Sequence, residues 1–275
     1  MIGPYRIAAS TANGYHAIHA TEGQAVVITV CSDDAEAKIS RALRLFGSLD
    51  HPGVVPLLAQ GVLADGQLWL AAVRPAGPVL HDALVGRSLR ADKVATLVRD
   101  AADVLRYVHW RGLVHGNLHP LSISMAEGEQ SVSISDWGDI EARPHGVFDP
   151  PGAQPDEPTN DVFALGVIAY RALTGRFPRP DVVSVPGAPP ALAQLILEMM
   201  APNADDRPTA QEARDAVCRM LGQDMRAVEI TVERADDEPT ISTPRFAAPR
   251  WTPTTHMMIP PMRTVLPVTV DEDFE

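Results

Sequence analysis

Lysine is almost missing from this chain: its 275 residues include only Lys38 and Lys93. Acidic residues outnumber basic ones by 35 to 23, a formal net charge of −12 with a pI near 5.1. A nucleic-acid backbone or an anionic membrane surface demands a basic face that such a composition can hardly supply, so neither is an expected partner. Cysteine is equally scarce. Cys31 and Cys218 lie far apart inside apolar segments, which suits buried thiols in a reducing cytosol better than a disulfide framework, a structural pair being the alternative. Long apolar runs are lacking too, since "VFALGVIAY" and "ALAQLILEMM" fall well short of the ~20 residues that span a bilayer. The start, "MIGPYRIAAS", has neither the basic opening nor the apolar run of a secretory signal. A soluble cytoplasmic protein without a membrane span is expected.

What remains is ordinary for a globular chain, with 45% hydrophobic residues to fill a core. The first thirty residues alternate like strands ("YRIAAS", "YHAIHA", "AVVITV") around the turns "TANG" and "TEGQ", predicting a three-stranded antiparallel meander. In "SDDAEAKISRALRLFG" the period changes: Ala35, Ile39, Ala42, Leu43 and Phe46 share a helical face, with Ser32 or Asp33 as cap. Strand character returns in "GVVPLLAQGVLADGQLWLAAV" around Asp65-Gly66, and "RPAG" reads as a hinge. Beyond it, Val94, Leu97, Val98, Ala101, Leu105 and Val108 predict an amphipathic helix over 91–109, ended by Gly112. Two short strands, "LSISM" and "SVSIS", are joined at Glu127-Gly128. "DVFALGVIAYRALTG" is apolar nearly all round, the mark of a helix buried in a lobe and closed by Gly175. Two more amphipathic helices follow, the second opened by a capping box between Thr209 and Glu212. After Gly222 prolines, threonines and acids take over, so residues 223–275 are expected to form a mostly disordered tail.

This order of elements, with certain local motifs, resembles the eukaryotic-like Ser/Thr protein kinase family of bacteria. "GLVHGNLHPLSISM" resembles the catalytic loop, "SISDWGD" the metal-binding Asp-Phe-Gly segment, "NDVFALGVIAYRALTGRFP" the central helix, and "ADDRPTAQEA" the approach to the last helix. The resemblance covers roughly residues 5–221. It implies an α+β, two-lobed, protein kinase-like fold over 1–222, with a small β-rich N-lobe over about 1–74 and a larger helical C-lobe over about 75–222.

The family's chemistry needs a catalytic-loop Asp to accept the substrate hydroxyl proton and an Asn five residues on to hold magnesium. Carried over by position, those places fall on Asn117 and Ser122. An amide can orient a hydroxyl but is no base near neutral pH. Gly116 and His119 stand where the family has Arg and Lys. The phosphate-anchoring Lys falls on Thr29 and its helix Glu partner on Ala42, so both members of that ion pair are replaced. The glycine-rich lid is reduced to Gly14 in "STANGYH". Neither lysine is placed to substitute, and Arg6, Arg41 and Arg44 are the other cations of the first lobe ahead of the hinge. A nucleoside triphosphate carries about four negative charges, each worth ~4 kcal/mol against an opposite charge at ~4 Å, and no source of that attraction is evident. No cofactor is expected, and ATP with magnesium is not expected to bind.

Asp136 is the one chemical residue the resemblance leaves in place. It is a candidate metal ligand, although a lone carboxylate makes a poor magnesium site, and an Asp bonded to nearby backbone is the plainer reading. His115, Asp161 and Arg207 fall on the family's scaffold positions; Arg207 is left with Asp156, Glu157 or no carboxylate partner. In the tail, "DDEPTISTPRF" places Thr240 and Thr243 behind an acidic cluster, where a partner kinase could add phosphate and a forkhead-associated domain could read it through arginine. A solubilising tail without a partner is the alternative. The expectation is therefore a pseudokinase acting as a scaffold or regulatory binding protein. The alternatives are an atypical kinase with residual transfer and a sensor of another small ligand in the cleft.

Overall fold

The computed structural model describes residues 1–11, 14–31, 42–126, 131–137, 146–154 and 156–222, all within one compact unit, Met1–Ala227. The tail threonines Thr240 and Thr243, the capping residues Ser32 and Asp33, and the Glu127-Gly128 turn lie outside the described residues.

Five antiparallel strands come first: β1 (Tyr5–Thr11), β2 (Gly14–His19), β3 (Ala25–Cys31), β4 (Leu57–Val62) and β5 (Leu68–Val73), in the spatial order β1-β2-β3-β5-β4. Period-two alternation sends Ala17, Val26, Ile28, Trp69 and Ala71 to one face, where Ile2 and Tyr5 complete a core. Tyr5 meets Trp69 edge to face at 5.9 Å. Gly14 serves this sheet directly. A Cβ there would lie 1.9 Å from the Ile28 carbonyl oxygen, so β2 could not approach β3 with any larger residue. Residues 42–46 are helical, as the apolar spacing predicts, and bury Ala42 and Phe46.

The second half is built around α2 (Ala91–Trp110), which packs against α3 (Pro158–Thr174) and α5 (Ala210–Met220), with α4 (Pro190–Met199) against both of those. Its apolar stripe is fully interior from Val94 to Val108. Pro158 opens α3, where a missing N–H costs nothing, and Gly175 closes it in the left-handed conformation at φ 73°. Thr209 and Glu212 cap α5 reciprocally.

Two features differ from the sequence reading. A short helix, α1 (Leu80–Leu84), follows the hinge and buries Leu80 and Leu84; five residues are too few for a helical period to show. The strands β6 (Ile123–Met125) and β7 (Val132–Ile134) are shorter than "LSISM" and "SVSIS", because the Ser122 N–H donates to His119 Nδ1 at 3.1 Å and holds that end in a turn.

The hinge itself is tied to β6. The Met125 N–H donates to the Pro78 carbonyl at 3.0 Å, and Gly77 sits at φ +81° with no room for a Cβ, which would fall 1.9 Å from the Met125 oxygen. Gly77→Ala is expected to lower stability by about 1–3 kcal/mol from backbone strain alone. A urea midpoint equal to wild type would show that the hinge does not need this conformation.

Candidate functional site

A cavity of about 330 Å³ lies between the five-stranded sheet and the helical half. Thr29, Val27 and Leu70 reach it from the sheet, Pro75 from the hinge, and Asn117 and Asp136 from the opposite side. Sequence positions 29, 117 and 136 therefore meet in one place, while Ala42 and Ser122, each 1% exposed, are not among the lining residues.

The loop after α2 is organised by Asp161, a buried carboxylate in the first turn of α3. It accepts from the His115 N–H at 2.8 Å, the Gly116 N–H at 2.9 Å and His109 Nε2 at 2.8 Å. Burial pushes this carboxyl up, but the hydrogen bonds from the His109 ring and the His115 amide outweigh it, so it sits below the ordinary carboxylate value. His115 is itself 1% exposed, donates from Nε2 to the Ser135 carbonyl at 2.8 Å, and accepts the Asn117 N–H on Nδ1 at 3.2 Å. Its ring is consumed by holding the loop.

Ser122 is turned inward. Its hydroxyl donates to the His119 carbonyl at 2.8 Å and accepts the His119 N–H at 3.1 Å, so both functions of the group are spent within its own turn. His119 is likewise buried, at 6% exposure.

Asp136 and Trp137 go opposite ways. Trp137 is fully buried, donates its indole N–H to the Ile134 carbonyl at 2.9 Å, stacks on Phe46 at 5.5 Å and tilts against His115 at 4.8 Å. Ile134 is in turn clamped by residues 53–55: its N–H donates to the Gly53 oxygen at 2.8 Å and its oxygen accepts from Val55 at 2.9 Å. With Ile134 and Trp137 fixed, the chain turns through a left-handed φ of 61° at Asp136 and leaves that side chain exposed on the cavity wall. Asp is among the few residues that tolerate such a φ.

Arg207 lies elsewhere, 7% exposed and just ahead of the last helix in the chain. Its guanidinium donates to the carbonyls of Ala201 at 2.8 Å, Pro202 at 2.9 Å and Thr159 at 3.4 Å, and covers Phe163 at 5.1 Å. Three carbonyls take the place of the carboxylate partner that the sequence left open between Asp156 and Glu157. Desolvation lowers its pKa, opposed by the charge of Glu157.

No protein-family model matches the chain. It is 26% identical to Serine/threonine-protein kinase pkn3 of Myxococcus xanthus over 78% of its own length and 48% of that protein's. It is 27% identical to Serine/threonine-protein kinase PknI of Mycobacterium bovis over 58% of this chain and 28% of that one. The crystal structure of the PknI kinase domain from Mycobacterium tuberculosis, a double mutant, superposes with a TM-score of 0.67 at 23% identity, covering 80% of this chain and 96% of that chain. The fold is that of a protein kinase domain. The chain spans about half, or less, of the length of these two named kinases.

In this kinase-like fold the sheet is the N-lobe, the helices are the C-lobe, and the cavity is the cleft between them. Magnesium and a nucleoside triphosphate, which the fold family implies, do not fit the residues found there. The described lining contains no Lys or Arg, and Asp136 is its one carboxylate. Ser122 has no oxygen directed at the cleft. Among the described residues no group of three His, Cys, Asp or Glu side chains is arranged to hold a metal. Lys38 and Arg41 lie outside the described residues.

Two residues of this site escaped the sequence reading. His109, which completes the Asp161 cluster, is 52 residues from its partner, and nothing local marks the pairing. Pro75 was readable. The hinge "RPAG" already announced an imino acid, which has no N–H to present to a ligand. Among the described residues no helix is long and apolar enough to cross a membrane.

Proposed function

We propose that this kinase domain transfers no phosphate and acts as a pseudokinase, a scaffold or regulatory binding protein in bacterial Ser/Thr phosphorylation signalling. The observation that carries the reading is the cleft's charge. Thr29, Asn117 and Asp136 line the cavity where a triphosphate would lie, and the described wall around them contains no Lys or Arg to meet it. A carboxamide at 117 cannot accept the hydroxyl proton, and the inward-turned Ser122 cannot join Asp136 on a metal. Neither ATP nor magnesium is needed for a role built on surface and tail. In that role an active Ser/Thr kinase modifies Thr240 or Thr243, and a forkhead-associated domain reads the product.

The kinase names of the relatives favour a second reading, an atypical Ser/Thr kinase working through Asp136 with unfamiliar partners. Losing a general base typically leaves a rate lower by ~10²–10⁴, so slow transfer is its signature. Incubation with radiolabelled ATP and magnesium or manganese separates the two. The expected outcome is no incorporation above background and no thermal shift with magnesium ATP, although a ligand at a hundred times its dissociation constant would add about 2.7 kcal/mol. Incorporation that disappears in Asp136→Ala would replace the first reading with the second.

A further inference from the structure

We infer that the cleft between the lobes is a binding site for an uncharged, flat, largely apolar small molecule of about two rings. The inference rests on the reading that the cleft does not serve a nucleotide, and it names what the cleft takes instead.

Three observations point to this class. Size comes first: a cavity of about 150 Å³ takes one benzene ring, so the 330 Å³ here has room for roughly two. The second is the chemistry of the wall. Val27, Leu57, Leu70, Ala72, Val79 and Leu121 make it mainly aliphatic, which favours apolar surface leaving water.

The third is a shortage of donors along the hinge. A nitrogenous base is recognised through an edge of paired donors and acceptors, and a site that cannot answer them leaves polar atoms unpaired. The Val73 N–H is already given to the Pro56 carbonyl at 3.0 Å and the Arg74 N–H to the Ala25 carbonyl at 3.0 Å, while Pro75 has none. A purine edge facing residues 73–75 would find no backbone donor there. Charge points the same way: the described lining offers no Lys or Arg to hold a phosphate, so a neutral hydroxyl is favoured over an anion.

The test is a thermal-shift titration of the full chain with a matched pair of probes, 2-naphthol and 2-naphthyl phosphate, alongside magnesium ATP. 2-Naphthol at ten times its dissociation constant is expected to raise the melting temperature by roughly 3–6 °C, and the phosphate ester by none. Ala72→Phe fills the cavity and should abolish the 2-naphthol shift. Should that variant not fold, Leu121→Asp changes a wall residue that is 43% exposed, and it should weaken binding about tenfold. The inference is overturned if 2-naphthol is silent, if the phosphate ester binds as well, or if either folded variant binds like wild type. Silence from 2-naphthol and ATP together leaves the pseudokinase reading standing and removes only this inference. A shift with magnesium ATP removes the reading beneath it.

Discussion

Asp161→Ala is expected to destabilise the domain by about 3–5 kcal/mol, the loss seen when one partner of a buried charged cluster is deleted. The carboxylate is 2% exposed and satisfies three donors, the amides of His115 and Gly116 and the ring of His109. Without it those groups stay inside the protein unpaired, each at a cost of about 1–3 kcal/mol unless the loop moves to water. Urea unfolding measures the loss, and amide exchange at 115–116 should accelerate with it. The pH dependence follows from the same geometry. Asp161 is held below the ordinary carboxylate value, so the unfolded chain takes up the proton first. This contribution is complete above the unfolded value, roughly pH 4, and is lost as pH falls through the folded value. Asp103 acts in the same direction. Burial raises its carboxyl, but His51, Arg106 and Arg214 together hold it well below the usual range. Asp161→Asn should therefore shrink the acid-induced loss of stability. An Ala variant within 1 kcal/mol of wild type, or an unchanged acid limb in the Asn variant, would refute the role given to this carboxylate.

Trp137→Ala should cost about 3–5 kcal/mol, the usual range for removing a large aromatic from a core. For a domain of this size that lowers the melting temperature by roughly 10 °C. The indole is wholly buried between Phe46 and His115, so its loss opens a cavity that joins the two lobes rather than one confined to either. Trp137→Phe keeps one ring for the stack and gives up the hydrogen bond to Ile134, worth about 1 kcal/mol, together with the packing of the second indole ring. The difference between the two variants is the informative quantity. If both cost the same, the ring that Phe retains contributes nothing to stability. The Ala variant should also release the left-handed turn at Asp136, since the buried ring is what holds the following residue in place.

Periodicity was enough to locate the meander, the long α2 helix and the interior α3, because a strand or helix with one wet face must repeat its apolar residues at the pitch of its backbone. The capping box at Thr209 and the stop at Gly175 could be read for a similar reason: each is a local solution to the unsatisfied groups of a helix end. Short pieces were less readable. α1 has too few residues to show a period, and β6 starts late because of a hydrogen bond between Ser122 and His119 that no propensity reports.

The sequence by itself determined which chemical groups this protein has: two lysines, an amide at 117, a hydroxyl at 122, a carboxylate at 136 and a proline at 75. A side chain's proton affinity and donor count belong to the residue type, so these facts needed no coordinates. Only the tertiary structure decided what each group faces. It spent the Ser122 hydroxyl inside its own turn, gave Arg207 three carbonyls, joined His109 to Asp161 and set Asp136 on the wall of an aliphatic cavity. The turn at Ser122 is local, but the His109–Asp161 and Arg207–Thr159 contacts join residues tens of positions apart and exist only once the chain has folded.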